Sequence, residues 1–262
     1  MKKTIYRTLI ELTNRRFLAL AIKAFAESKL SKPFVPSFVR TYRINTDEME
    51  YSVGEYQTLH ELFTRKLKPG LRMTDPDPSA AACPVDGILE EQGEIGPEAV
   101  FTVKGLDYSI AEMLGSEENA AGYKGGYYLI IYLSPSHYHR IHSPVSGTIR
   151  KQFELGDKSY PVNRLGLKYG KYPLSKNYRL VTEIETEQEK KAAVVKVGAM
   201  NINTIQTAKQ DGYIGKGQEL ALFSFGSTVV LLFEPGVFKP AAGEEVQEVK
   251  EVKAGQTIGF LI

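Results

Sequence analysis

The sequence predicts an α+β fold, a helical lead followed by a β-rich remainder. Three observations predict it: apolar residues at helical spacing up to residue 29, a Pro/Asp linker at residues 75–79, and short β-type runs divided by glycines beyond it. Ile5, Leu9 and Leu12, then Leu18, Ala21, Ile22 and Phe25, recur every three or four residues, the stripe of one or two amphipathic helices over residues 4–29. Lys32-Pro33 and Val35-Pro36 are expected to end that lead, because proline disfavours helix in the residue before it. A further helix is expected over residues 58–67, where Thr58 can cap and Glu61 stands at the capping-box spacing. His60 within it is given no role. Asp75-Pro76-Asp77-Pro78-Ser79 then divides a helical region, residues 1–74, from a β-rich domain, residues 75–262. Strands are expected at 87–89, 100–103, 127–133, 147–149, 192–197, 220–225, 228–233 and 257–262, with a helical turn at 110–114 and a solvated hairpin tip in the charge-rich run 183–191.

Composition narrows the function. At 262 residues, 42% hydrophobic and 24% charged, the chain can bury a substantial core. Cys83 is its one cysteine, so no intramolecular disulfide can form, which fits a reducing compartment. Beside Pro84, this thiol reads as a small buried hydrophobe. Residues 1–43 hold ten basic residues against Glu11 and Glu27, a local charge of +8. The other 219 residues therefore carry −6 of the total of +2. Such asymmetry suits a basic end meeting an anionic surface, nucleic acid or anionic lipid. The longest continuous apolar run among the first thirty residues, 17–22, is six residues, against about 20 for a spanning helix. Lys2-Lys3 followed by Arg7 and Glu11 does not read as a signal peptide, and a cytoplasmic-side protein is expected.

The stretch that bears chemistry is Phe225-Gly226-Ser227-Thr228, ahead of the apolar run Val229–Phe233. A strand this apolar has no structural use for a Gly-Ser-Thr step at its mouth, since glycine weakens strands and marks close backbone approach. Ser227 presents a hydroxyl next to the unhindered Gly226 carbonyl. An activated serine needs a base, and the base an orienting group. Three of the four histidines, His137, His139 and His142, fall within six residues, and Asp86 sits in the turn Cys83-Pro84-Val85-Asp86-Gly87. Taken alone, each has an ordinary reading: a packed histidine, an Asx turn, a sheet-edge hydroxyl.

Together, Pro84-Val85-Asp86-Gly87, Tyr138-His139-Arg140-Ile141-His142, Val197-Gly198-Ala199 and Phe225-Gly226-Ser227-Thr228 resemble the bacterial, pyruvoyl-dependent phosphatidylserine decarboxylases. The resemblance runs from the basic lead through Leu62-Phe63-Thr64-Arg65 to Gly255-Gln256-Thr257-Ile258-Gly259. It implies cleavage between Gly226 and Ser227 into a long β subunit, 1–226, and a short α subunit, 227–262, whose first residue becomes a covalent pyruvoyl cofactor. It further implies that His142 is the base for the Ser227 hydroxyl, that Asp86 orients His142, and that His139 stands at the substrate carboxylate or donates a proton. His137 is read as structural. The substrate implied is phosphatidylserine, held as a Schiff base, decarboxylated to phosphatidylethanolamine. The implied partners are the anionic membrane surface and the sister subunit in a heterodimer, open to further dimerisation, with no nucleic acid. The implied location is peripheral, on the cytoplasmic face of the cell membrane. Two phrases, 142–147 and 252–259, resemble the turns of lipoyl-like barrel-sandwich folds, so that style of sheet is expected. The sequence departs from the family pattern at Phe225, where many members carry leucine, and in Lys176-Asn177-Tyr178-Arg179, where an aromatic stands in place of an acidic residue.

Two other readings stay open from sequence. In a zinc hydrolase, His137, His139 and His142 would be ligands, although catalytic zinc usually takes three and no second His-bearing segment besides His60 accompanies them. In a lipoyl-like carrier, Gly215-Lys216-Gly217 would be the exposed hairpin lysine, a loose match. If the basic lead docks on lipid, deletion of residues 1–30 leaves the later domain folded and releases it from anionic vesicles in a sedimentation assay; undiminished binding contradicts that role.

Overall fold

The computed structural model of the chain describes residues 16–199, 205–223, 227–241 and 250–262, with side chains from Ala21 onward. The expected helix over 4–15 and the residue Gly226 lie outside the described residues. Helix Arg16–Glu27 (α1) opens the described chain. Pro33 and Pro36 do not end the helical lead: Lys29–Phe34 winds as a 3-10 helix, and Val35–Tyr42 (α2) is a new helix carrying Pro36 in its first turn. Proline is harmless there because the N–H it lacks would have had no partner within the helix. Helix Leu59–Phe63 (α3) starts as the sequence suggests, with Thr58 Oγ1 accepting from the Glu61 N–H at 3.0 Å. The Glu61 carboxylate turns back to the Gln57 N–H, and Thr64 closes the helix well short of residue 67. Val35, Ile44, Met49, Tyr56 and Leu62 form the small core that binds these helices together.

Beyond the linker the chain is mostly strand. Ala80–Ala82 (β1) and Gly87–Glu94 (β2) are followed by the hairpin Val100–Val103 (β3) and Leu106–Ser109 (β4). Short helices Ile110–Leu114 (α4) and Glu117–Ala120 (α5) lead to Tyr127–Leu133 (β5), Arg140–His142 (β6) and Gly147–Leu155 (β7). Helices Arg164–Tyr169 (α6) and Pro173–Lys176 (α7) precede Arg179–Glu185 (β8) and Lys191–Gly198 (β9). The last strands are Ile205–Thr207 (β10), Gly212–Ile214 (β11), Glu219–Phe223 (β12), Ser227–Phe233 (β13), Phe238–Pro240 (β14), Lys250–Val252 (β15) and Thr257–Leu261 (β16).

Eight strands form one antiparallel sheet in the order β11-β7-β8-β9-β13-β5-β2-β15, and two three-stranded sheets, β10-β12-β6 and β1-β16-β14, accompany it. No sheet among the described residues closes on itself, so the β-dominated α+β class holds while the expected barrel-sandwich finds no closed barrel. The large sheet ends instead on two three-residue edges, β11 and β15, short edges being one way to leave a sheet open without inviting further pairing. The charge-rich run also differs from expectation. Glu183–Glu185 finish β8, with Glu183 buried against the Tyr123 hydroxyl at 3.2 Å, and the turn itself is confined to 186–190.

β13 explains the apolar run. Each of its residues pairs with β5 on one side and β9 on the other, and side chains alternate between faces. Val229, Leu231 and Phe233 join the core that also holds Leu133, Ile141 and Phe223, while Val230 and Leu232 join the opposite core with Ile130 and Val195. Ser227 therefore shares a face with Val229 and Leu231, looking toward the core to which β6 and β12 contribute. Leu231→Ala should lower unfolding stability by about 2–5 kcal/mol in a urea titration, and a loss under about 1 kcal/mol would contradict this placement of β13.

Candidate active site

Ser227 begins β13, directly opposite Leu133 of β5 and Gly198 of β9. Its side chain is fully buried, and the Oγ has no hydrogen-bond partner among the described residues. A buried hydroxyl left unpaired costs roughly 1–3 kcal/mol, so this serine is not there to stabilise the sheet. Its neighbour Gly198 is itself held on both polar groups. The Gly198 N–H donates to the Tyr178 carbonyl at 2.9 Å, and its carbonyl accepts from Asn177 Nδ2 at 2.8 Å. Asn177 is wholly buried and also clasps both backbone groups of Tyr160.

The histidine segment springs from Leu133. Ser134 and His137 close a tight turn in which the Ser134 N–H donates to His137 Nδ1 at 2.9 Å and the His137 N–H to the Ser134 carbonyl at 3.0 Å. The Phe223 N–H then donates to the His139 carbonyl at 3.0 Å, tying this loop to the end of β12 four residues before Ser227. Within β6 Ile141 lies on the inward side and Arg140 and His142 on the other, while His139, the residue before the strand, is paired through its carbonyl to Phe223 opposite. His139 is fully buried, stacked on Phe63 with ring centroids 3.8 Å apart. Its Nδ1 donates to the His137 carbonyl at 2.9 Å, and its Nε2 has no partner among the described residues. Two buried polar atoms without partners, Ser227 Oγ and His139 Nε2, thus stand on elements facing one core.

His142 is anchored through its N–H to the Pro84 carbonyl at 2.8 Å. Its Nδ1 donates to the Gly217 carbonyl at 2.8 Å, which leaves Nε2 to accept from the Tyr138 hydroxyl at 3.2 Å. The Tyr138 ring lies stacked on it. Burial pushes His139 well below the ordinary imidazole value, with the Arg65 charge adding to the effect. Burial also lowers His142, opposed by its Gly217 hydrogen bond and by Glu219 and Asp86, and lowers His137 against the pull of Asp86 and Glu251. All three rings are thereby neutral at neutral pH, the state in which an imidazole can accept a proton.

Asp86 is placed by close backbone packing. A side chain on Gly87 would meet the Tyr132 carbonyl at 2.6 Å, and Gly255 turns with φ +84° so that the preceding Ala254 N–H donates to Asp86 Oδ1 at 2.9 Å. Arg72 grips both carboxylate oxygens, at 2.8 and 2.6 Å, and reaches Glu48 at 2.6 Å. The hydrogen bonds of Asp86 go to Arg72 and Ala254 and those of His142 to Gly217 and Tyr138, so the two expected partners share an electrostatic environment without bonding to each other. The lone thiol, Cys83, is buried, donates to the Val85 carbonyl at 3.1 Å and is pushed up to about 12 by burial, which leaves it inert. Among the described residues, no group of three or more His, Cys, Asp or Glu is gathered for a metal ion.

The model of the phosphatidylserine decarboxylase family matches residues 59–260, taking in all of these residues except Glu48. The chain is 52% identical over 258 residues to a protein of Bacillus mycoides named phosphatidylserine decarboxylase proenzyme, covering 98% of this chain and 97% of that one. Proteins of the same name in Bacillus cereus and Bacillus anthracis are also 52% identical, over 98% of this chain and 95% of theirs. The chain belongs to the phosphatidylserine decarboxylase family. As a member of that family it is an enzyme, which removes the carrier reading.

Arg72, Phe63, Arg65, Asn177 and Tyr138 are placed at the site by the structure and were given no role from sequence. Phe63 and Arg65 stood in the matching motif, but their contacts are tertiary. Lys196 was also missed: fully buried on β9, it donates to Thr182 Oγ1 at 2.5 Å, and burial draws it down to about 7. It lies opposite Val229, but its ammonium is turned to Thr182 of β8, on the other side of β9 from Ser227. Arg72→Met leaves Asp86 and Glu48 without their main partner and should cost about 3–5 kcal/mol in denaturant unfolding. Glu48 is held below its ordinary value of 4.5, chiefly by the Arg72 hydrogen bond. Its contribution is therefore fully present above pH 4.5 and fades as pH falls through the lowered folded value. The stability gap between the native chain and Glu48→Gln should shrink in acid, and a constant gap would exclude this linkage.

Proposed function

We propose that the chain is a self-processing, pyruvoyl-dependent decarboxylase that converts phosphatidylserine to phosphatidylethanolamine. The observation that carries the reading is the buried, unpartnered Ser227 hydroxyl at the head of a strand paired on both sides. Family membership and the relatives' proenzyme name support a maturing cut. Ser227 Oγ attacks the Gly226 carbonyl carbon while a histidine takes its proton; the Gly226–Ser227 C–N bond breaks and its electron pair, with that proton, goes to the Ser227 amine, leaving an ester. Loss of the Ser227 α-proton then breaks the Cβ–Oγ bond, releasing Gly226 as a carboxylate. The resulting dehydroalanine tautomerises, adds water and loses ammonia, leaving the short α subunit, 227–262, with a pyruvoyl group in place of its first residue. The long β subunit is 1–226.

Residue 227 fits such a group, since none of the described residues hydrogen-bonds its hydroxyl. As a ketone, the pyruvoyl group supplies a partner for the substrate amine, a Schiff base, and a sink for the electron pair left by carbon dioxide. The rest falls to the chain. Leu133 and Gly198 hold residue 227 between two strands, and Asn177 fixes Gly198 from behind. His142 accepts the Ser227 proton on Nε2 after that atom gives up the Tyr138 hydroxyl and the ring turns toward residue 227, with the Asp86 carboxylate acting on it through space and the Gly217 carbonyl holding the tautomer. His139, buried and neutral, meets the substrate carboxylate or returns the proton. Because β13 pairs with β5 and β9 over its whole length, the heterodimer of the two subunits stays assembled after the cut.

A second division of labour, His139 as the base for Ser227, is favoured by one observation: its buried Nε2 has no partner among the described residues, whereas that of His142 already accepts from Tyr138. Helix α1 and the 3-10 helix Lys29–Phe34 that follows it support docking on an anionic membrane surface. Ile22, Phe25, Leu30 and Phe34 are exposed, Leu30 by 75%, in a segment rich in lysine and arginine. No described helix is long and apolar enough to cross a membrane, and attachment is proposed to be peripheral, at the cytoplasmic face. In this reading residues 1–74 dock and residues 75–262 catalyse.

Ser227→Ala should run as one uncut polypeptide on a denaturing gel, without decarboxylase activity. His142→Ala should also stay uncut, whereas His139→Ala should be cut and release carbon dioxide slowly. Cutting of Ser227→Ala overturns the proposal, and an uncut His139→Ala with a normally cut His142→Ala selects the second division.

A further inference from the structure

We propose that Phe63, the last residue of α3, and Arg65, just beyond it, are positioning residues for His139, so that the helical part of the chain completes the catalytic centre as well as docking it. The inference rests on His139 being a working group, as read above.

Arg65 belongs to the helical region, yet it is only 4% exposed and its side chain crosses to the histidine loop. Nη2 donates to the Ser136 carbonyl at 2.8 Å and the His137 carbonyl at 3.0 Å, while Nη1 makes a long contact of 3.4 Å to the Leu62 carbonyl. A buried guanidinium ordinarily meets a carboxylate; the hydrogen bonds of this one go to backbone carbonyls, two of them in the histidine turn. The His137 carbonyl it holds is the acceptor for His139 Nδ1. A carbonyl oxygen has two lone pairs, and here one takes Arg65 and the other takes the imidazole.

The tautomer of His139 follows. Nδ1 carries the proton and Nε2 keeps its lone pair, the orientation that the carboxylate imposes in a serine triad. A backbone carbonyl braced by an arginine performs that task here. Phe63 fixes the remaining freedom, because a ring 3.8 Å away and tilted by 36° restricts rotation of the imidazole plane. The charged or titratable groups facing the ring are Arg65, from just beyond α3, and His137, from its own loop; both lower its affinity for a proton.

The core of Val35, Met49, Tyr56 and Leu62 joins α3 to the segment that exposes Phe34. The docking surface and the brace on His139 therefore belong to one packed unit.

The test uses the full chain and a short-chain phosphatidylserine dispersed in detergent, which removes vesicle docking from the readout. It compares Arg65→Met, Arg65→Lys and Phe63→Leu with the native chain, and His139→Ala serves as the reference. Arg65→Met should lower kcat about 10²-fold with a smaller change in KM. Loss of the charge should also move the limb of the kcat profile set by His139 to higher pH, whether the ring works as acid or base. Imidazole nitrogen NMR of the uncut Ser227→Ala chain should report the same upward shift and a mixed tautomer. Arg65→Lys should keep the limb in place and recover part of kcat, and Phe63→Leu should lower kcat without moving the limb. An unmoved limb and an unmoved His139 titration in folded Arg65→Met overturn the proposal. Where Arg65→Met does not fold, native kcat in both Arg65→Lys and Phe63→Leu overturns it. Undiminished activity of His139→Ala instead removes the reading on which the proposal rests.

Discussion

The pairing of β13 on both edges is the constraint from which the rest follows. Ser227 cannot move without breaking ladders to Leu133 and Gly198, and its side chain is committed to the inward face by strand alternation. Everything chemical then has to be brought to it. β5 runs directly into the histidine turn, β12 ties His139 through Phe223, and β9 delivers Gly198 with Asn177 at its back. A buried hydroxyl without a hydrogen-bond partner is costly, and Ser227 Oγ has none among the described residues.

The polar groups around the site follow one rule. Each imidazole gives its Nδ1 to a backbone carbonyl or takes a backbone N–H there, so the tautomers are set by the main chain and not by carboxylates. Burial keeps the rings neutral. Asp86 is held in a separate ionic cluster with Arg72 and Glu48 that joins the helical region to the β domain. Its effect on His142 is exerted through space, and Tyr138 stands next to the ring that receives it.

Much of this was legible in the sequence. The apolar run after Ser227 announced a buried strand, the turns around Asp86 and at 252–259 were marked by their prolines and glycines, and Asp86, His139, His142 and Ser227 could be singled out as candidates because reactive groups come from a short list of residue types. Partners could not be named in the same way. Arg65, Arg72 and Asn177 matter through contacts with residues remote in sequence, and an arginine that binds carbonyls looks like any other arginine on paper. The prolines misled because a rule about the residue before proline competes with proline's fitness for a helix's first turn, and only packing decides which applies at Pro36. Sheet closure was likewise invisible, since turn phrases fix local geometry and leave the number and order of strands open. The charged run near Glu183 misled for a related reason, as a carboxylate can be buried wherever a tyrosine waits for it.

The helical region gains a double meaning from these contacts. Its exposed apolar residues suit a lipid surface, while the last residue of its last helix, Phe63, stacks on the His139 ring.

The most direct check on the central claim is the intact mass of active, purified protein. Two species are expected: residues 1–226 with an ordinary carboxyl end, and residues 227–262 lighter by one ammonia than the same peptide beginning with an unmodified serine. A single unbroken mass in fully active material, or a short species that keeps its serine, would contradict the account.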